Sequence, residues 1–215
     1  MAKKASSEAE TIETQGHEKL VRLEVTCVGI TPLLMNRMTE ETLENIRTKA
    51  KKPKNASRPA APRDEAAPKV YLTKDGKPYL PTENLLACLI AAGQFVRLDG
   101  KRQVSTAKST ALPAFLSLED PHLPLFVVKT GESPDWEVDM RPGRNPNGGE
   151  AVCLVRPRFD QWGFRVNTTV DLLEIGMQSV RELFEIAGKR IGLGDFRPQR
   201  KGMFGRFAIT KWQER

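Results

Sequence analysis

From Lys19 onward the chain falls into segments with clear hydrophobic periods. Val21, Leu23, Val25 and Cys27 alternate with Arg22, Glu24 and Thr26, the pattern of a strand with one face in a core and one in water. Thr31-Pro32-Leu33-Leu34-Met35-Asn36 closes that strand, and a short helical pattern runs from Thr39 to Lys49. Val70-Tyr71-Leu72 reads as a strand entering a tight turn at Lys74-Asp75-Gly76-Lys77, where Asp-Gly chemistry suits the bend. Pro81 and Thr82 introduce a helix, with Thr82 as its expected cap and Leu85, Leu86, Leu89 and Ile90 on one face. Short strand-like pieces follow at Ala111 to Leu118, Leu123 to Val128 and Trp136 to Met140. A long strand signal extends from Ala151 through Val170. Within it Trp162, Phe164, Val166 and Val170 share one face, and Arg165, Asn167 and Thr169 the other. A helix is expected from about Met177 to Lys189, with Val180, Leu183, Phe184, Ala187 and Ile191 at helical spacing, and a last strand from Met203 to Trp212.

Three stretches break the pattern. Residues 1–18, rich in Lys, Ser, Glu and Thr, read as a disordered arm, and 47–69, built of Lys, Arg, Ala and Pro, as a basic flexible insertion. Residues 98–149 read as a second, hairpin-rich insertion. Without the insertions, residues 19–215 predict one α+β domain: a ferredoxin-like (RRM-like) antiparallel sheet with two helices on one face and the other face free.

Composition narrows the partners. A formal net charge of +7 and a pI near 9.4 favour a polyanion. The longest apolar run, Leu85 to Val96, is too short to span a bilayer, and the polar start of the chain is no secretory signal, so a cytoplasmic protein is expected. Cys27, Cys88 and Cys153, each among apolar neighbours, read as buried thiols in a reducing compartment. With no CxxC or Cys/His cluster, no metal or cofactor is expected.

The candidate chemistry concentrates near the C-terminus. Ile191-Gly192-Leu193-Gly194 follows a helix and meets Pro198, so it is no dinucleotide fingerprint, which follows a strand and opens a helix. A Walker-type loop is also missing from the sequence. Gly192 alone would suit an ordinary helix cap. The density of Lys189, Arg190, Arg197, Arg200, Lys201 and Arg206 beside a single acid, Asp195, instead suits phosphate contacts. A second basic series, Arg141, Arg144, Arg156, Arg158 and Arg165, surrounds the turn signal Asn145 to Gly149. Phe159, Trp162 and Phe164 interleave with it as stacking platforms or core, and the valines sharing a face with Trp162 and Phe164 favour core. His17, His122, Asp64, Asp99 and Asp139 stand without a partner at diagnostic spacing, so a non-enzyme is expected.

Helix, Ile191-Gly192-Leu193-Gly194, a basic stretch, then Gly202-Met203-Phe204-Gly205-Arg206-Phe207 resembles the glycine-rich signature of the RAMP superfamily. Arg156-Pro157-Arg158-Phe159 extends the match upstream. Leu80-Pro81-Thr82-Glu83-Asn84-Leu85-Leu86 resembles the opening of the first helix in backbone subunits of CRISPR effector complexes. The resemblance implies a ferredoxin-like palm with insertions, lined along a guide RNA that it holds by the backbone. It makes Gly192, Gly194, Arg197, Arg200, Lys201 and Arg206 candidate RNA-phosphate contacts, and the loop from Arg141 to Gly149 a candidate finger. The chain also resembles an uncharacterised family of phage and prophage proteins. The expectation is a single-stranded nucleic-acid binder, RNA foremost, without strong sequence preference, forming a homo-oligomer or filament or joining effector-complex subunits. A phage structural or assembly protein and a metal-dependent ribonuclease are the alternatives.

Overall fold

In the computed structural model the described residues are 19–49, 60–98, 100–144 and 149–215. The expected arm, residues 50–59 of the basic insertion, Asp99 and the turn residues 145–148 lie outside them. Strand β1 (Leu20–Gly29) buries Leu23, Val25 and Cys27, as its alternation requires, and β2 (Leu33–Leu34) is buried on both residues. Helix α1 (Glu40–Thr48) is capped by Thr39, whose hydroxyl accepts from the Thr42 N–H. Glu40 and Glu41 in its first turn suit the helix dipole, yet α1 buries none of its residues. Helix α2 (Pro62–Ala66) and a 3₁₀ turn through Lys69 occupy part of the segment expected to be flexible. Proline at the helix start and the small Ala66 allow this single turn to dock, with Ala66 buried and Lys69 Nζ donating to the Val155 carbonyl at 2.6 Å.

Val70 to Leu72 forms no strand, since only one bridge, Leu72 to Pro78, ties it across the turn at Gly76. After β3 (Tyr79–Pro81), helix α3 (Thr82–Ala92) begins without a side-chain cap. Thr82 is its first residue, and its hydroxyl donates to the Asp120 carbonyl instead. The insertion begins with a hairpin, β4 (Arg97–Leu98) and β5 (Arg102–Gln103), and continues into α4 (Leu112–Phe115) and β6 (Leu116–Leu118). The expected strand at Ala111 thus starts as one helical turn, because Leu112 and Phe115 both reach the core from it. Strand β7 (His122–Pro124) pairs with β3, and β8 (Glu137–Arg144) with β9 (Ala151–Phe159) makes a long hairpin, whose far end holds the described part of the candidate finger expected from Arg141 to Gly149. Strand β10 (Gly163–Asp171), helix α5 (Met177–Ile186), a π-helical turn over residues 187–191 and strand β11 (Phe207–Glu214) complete the chain. The last strand therefore starts four residues later than expected, leaving Met203 to Arg206 in the loop.

The single strand expected from Ala151 to Val170 is two strands in two sheets. β9 belongs to a three-stranded sheet ordered β2-β9-β8, and β10 to a four-stranded sheet ordered β11-β1-β10-β6. The corner between them is set by Trp162, whose indole N–H donates to the Thr31 carbonyl at 2.8 Å. Gly29 leaves room for that ring, since a Cβ there would lie 2.2 Å from the indole nitrogen.

All neighbours in the four-stranded sheet are antiparallel. Helices α3 and α5 touch each other and share one hydrophobic cluster with Val25, Cys27, Phe164, Val166 and Val170. On the opposite face the alternation places Arg22, Glu24, Arg165, Asn167 and Thr169, and the charges of Arg22 and Glu24 are locally answered. Glu24 pairs with Lys211 at 3.6 Å and with Arg215, and Arg22 lies 3.7 Å from Glu119. Among the described residues no helix is long and apolar enough to cross a membrane.

Candidate nucleic-acid interface

The glycine-rich loop is shaped by close backbone approach. Gly188, in the π turn, lies against the last strand: a Cβ there would sit 2.1 Å from the Phe207 carbonyl oxygen. Gly194 (φ 73) and Gly205 (φ 69) carry left-handed backbone. A Cβ on Gly194 would lie 2.3 Å from the Leu34 carbonyl oxygen, and one on Gly205 1.8 Å from that of Leu193. This closeness lets the loop stitch itself to β2 and the residues before it. Asp195 N–H donates to Leu34 O and Gly205 N–H to Pro32 O, both at 2.8 Å, while Leu193 N–H donates to Gly205 O at 2.9 Å. A second lobe, with a 3₁₀ turn at Pro198–Arg200, closes through Gly202 N–H to Arg197 O and Phe204 N–H to Phe196 O.

These N–H groups therefore serve the loop's own fold, and beside them the loop displays a set of cationic side chains. Arg200, Lys201 and Arg206 are exposed, as are Lys189 and Arg190 on the π turn. Arg190 lies over the Phe95 ring at 5.2 Å. Arg197 is half-buried, its guanidinium donating to Gly194 O at 2.9 Å and to Gln199 Oε1. Among the described residues none of these six cations has a carboxylate partner.

The second basic series differs. Arg141 Nε contacts both oxygens of the buried Asp139, at 2.8 and 2.9 Å, and its guanidinium lies over the Phe204 ring. Arg156 is itself buried and bound to Asp195 at 2.7 Å, and Arg158 donates to Glu137 at 2.8 Å and Asp160 at 3.1 Å. Arg144, exposed at the end of β8, is free of such a partner among the described residues. Arg165 lies over the Phe126 ring on the open sheet face, at 5.1 Å. The interleaved aromatics are core: Phe159, Trp162 and Phe164 are at most 1 % exposed, and Trp162 and Phe164 pack with Phe207.

Between α3, the loop and the segment after β2 opens a cleft of about 250 Å³. Its apolar floor includes Met35, Leu80 and Leu193, and its polar rim Asn36, Tyr71, Asn84, Asp195 and Arg197. Asp195 is the organising group: Oδ2 accepts from Arg156 and from Asn36 Nδ2, and Oδ1 accepts from the Phe196 N–H. Cys88 also borders the cleft. Burial pushes its thiol up to about 12, against the opposing pull of Arg197 and the Gly192 backbone, so it is protonated at neutral pH. Tyr71 is likewise raised, chiefly by burial, and keeps its phenolic proton. The cations of this region were legible from the sequence, whereas Asn36, Tyr71 and Asn84 were not, because three distant segments bring them together.

Cys153, expected to be buried, is exposed on β9, in the part of the β8–β9 hairpin that β2 does not reach. His122 packs against Tyr79, with ring centroids 4.3 Å apart and the planes tilted by 40°. Among the described residues no group of three His, Cys, Asp or Glu stands close enough to hold a metal ion.

Neither a family model nor a curated protein matches the chain. Among solved structures it is similar to a chain of the type III-B Cmr-beta bound to cognate target RNA, seen by cryo-EM. The identity is 10% and the TM-score 0.55, over 91% of this chain and 60% of that one. It is also similar to Cmr6 from Pyrococcus furiosus, at 12% identity and a TM-score of 0.44, over 88% of this chain and 98% of that one. The present chain thus spans 60% of the length of its Cmr-beta neighbour, and the likeness it shares with that neighbour is one of fold.

Proposed function

We propose that this chain binds single-stranded RNA by its phosphate backbone, without strong preference along the strand, as a subunit of an RNA-guided CRISPR effector assembly. The observation that carries the reading is the contrast between the two basic series. Six cations between residues 189 and 206 lack carboxylate partners among the described residues, whereas Arg141, Arg156 and Arg158 are neutralised. Unanswered charge at a surface is what releases counterions from a polyanion, so the loop is the contact and Arg141, Arg156 and Arg158 hold the architecture. Two further observations support the reading. The Cmr-beta neighbour is bound to target RNA. The sheet order β11-β1-β10-β6, with α3 and α5 between its strands in sequence, fits a ferredoxin-like core.

A protein partner is supported by α1, which leaves Leu43 and Ile46 exposed. This suits a subunit of an assembly. Binding is proposed to occur without cleavage, and magnesium-dependent cutting of RNA that disappeared in Asp139→Asn would overturn that part. Fluorescence anisotropy at low salt tests the rest. Reversing charge at Arg197, Arg200 and Lys201 together is expected to weaken binding at least several-fold with an unchanged circular dichroism spectrum. Undiminished affinity would remove the loop from the interface, and no binding by the unaltered protein would end the reading.

A further inference from the structure

We propose that the cleft beside the glycine loop takes one nucleobase of the bound strand, so that the protein reads base identity at one position within an otherwise indifferent footprint. The inference rests on the RNA-binding reading and concerns the same site. At about 250 Å³ the cleft is below the ~300–1,000 Å³ that accommodates drug-sized ligands, which suits a fragment such as one base. Its chemistry is divided as a base requires, with an apolar floor at Leu80 and Leu193 and hydrogen-bonding groups at the rim.

Asn84 is the discriminating group. It sits half-buried on the first turn of α3, and among the described residues its side-chain amide has no hydrogen-bond partner. An amide offers a donor pair and an acceptor together, the complement of a base edge. Asn36 stands across the rim, already oriented by its 3.3 Å bond to Asp195, while the Tyr71 ring supplies an aromatic wall. Arg197 lies at the same rim and belongs to the loop that carries Arg200 and Lys201. A nucleotide whose phosphate meets these cations therefore has its base within reach of the cleft. Single-stranded RNA is read in this way elsewhere, with an unstacked base splayed out against an aromatic ring and polar groups.

The test is selection from a randomised twelve-nucleotide RNA pool, with the bound fraction sequenced. The unaltered protein is expected to enrich one base at a single position by about tenfold, the scale of one hydrogen-bonding group left unpaired in a closed site. Asn84→Ala is expected to flatten that enrichment, and Asn36→Ala, at an exposed position, serves as the second variant if N84A lowers the melting temperature. A bound pool as random as the input would overturn the proposal while leaving backbone binding intact. Enrichment unchanged in both variants would also overturn it. Failure to retain any RNA would instead sink the underlying RNA-binding reading.

Discussion

At the scale of single residues, the loop shows why its glycines and its cations have separate tasks. Gly194 and Gly205 let backbone carbonyls approach where a methyl group would collide, and the cations are then displayed on a scaffold already closed by its own hydrogen bonds. Cys88 belongs to the same construction, its thiol donating towards the Ala187 and Gly192 carbonyls while Cys27 lies buried nearby. A thiol raised from 9.0 to about 12 in the native state holds its proton where the unfolded chain has lost it. Its contribution is complete below pH 9 and is lost as pH climbs towards 12, at up to ~1.4 kcal/mol per pH unit. The melting temperature is therefore expected to fall between pH 9 and 11, and to fall less steeply in Cys88→Ala. Equal slopes for the two proteins, followed by circular dichroism, would show that the thiol is not the titrating group.

At the scale of elements, alternation was the reliable signal wherever one face met the core. β1, β10 and α5 are legible from Leu23, Val25, Phe164, Val166, Val180 and Leu183 because burial itself writes the period. The break between β9 and β10 was not legible. Two adjacent polar residues, Asp160 and Gln161, interrupt the alternation between Phe159 and Trp162, but so short an interruption does not say that the next strand enters another sheet, which depends on Trp162 reaching the Thr31 carbonyl. Thr82 misled for a similar reason, since a distant carbonyl at Asp120 claims the hydroxyl that local rules assign to the cap. The candidate site divides the same way: cations are visible as letters, but whether each is answered depends on partners such as Glu137, brought opposite Arg158 by strand pairing, Asp195, brought to Arg156 by the glycine loop, and Asp139, two residues from Arg141 on the same strand. The Arg156 to Asp195 pair is the joint between the β8–β9 hairpin and the loop, with Arg156 buried and the Asp195 side chain about a third exposed. Asp195→Ala would leave a buried guanidinium uncompensated. Complete burial of both partners would make the loss ~3–5 kcal/mol. With Asp195 partly solvated, about 1–3 kcal/mol is expected in urea unfolding. A loss below about 0.5 kcal/mol, the ordinary range for surface substitutions, would place the joint elsewhere.

At the scale of the molecule, a net charge of +7 does not by itself locate an interface, because the open sheet face also carries Arg22, Arg165, Lys211 and Arg215. That face has answered much of its charge through Glu24 and Glu119, so a phosphate arriving there must compete with carboxylates already in place. The loop asks for no such exchange. The two surfaces should therefore differ in how salt acts on them, since each phosphate contact to a single strand contributes about −0.7 to the slope of log affinity against log salt. Arg200→Ala, Lys201→Ala and Arg206→Ala are each expected to reduce the magnitude of that slope by about 0.7, as measured by anisotropy over a salt series. Arg22→Ala and Lys211→Ala on the open face are expected to leave it unchanged. If the open-face variants flatten the slope and the loop variants do not, the strand runs across the sheet, and the unpaired cations of residues 189–206 serve some other partner.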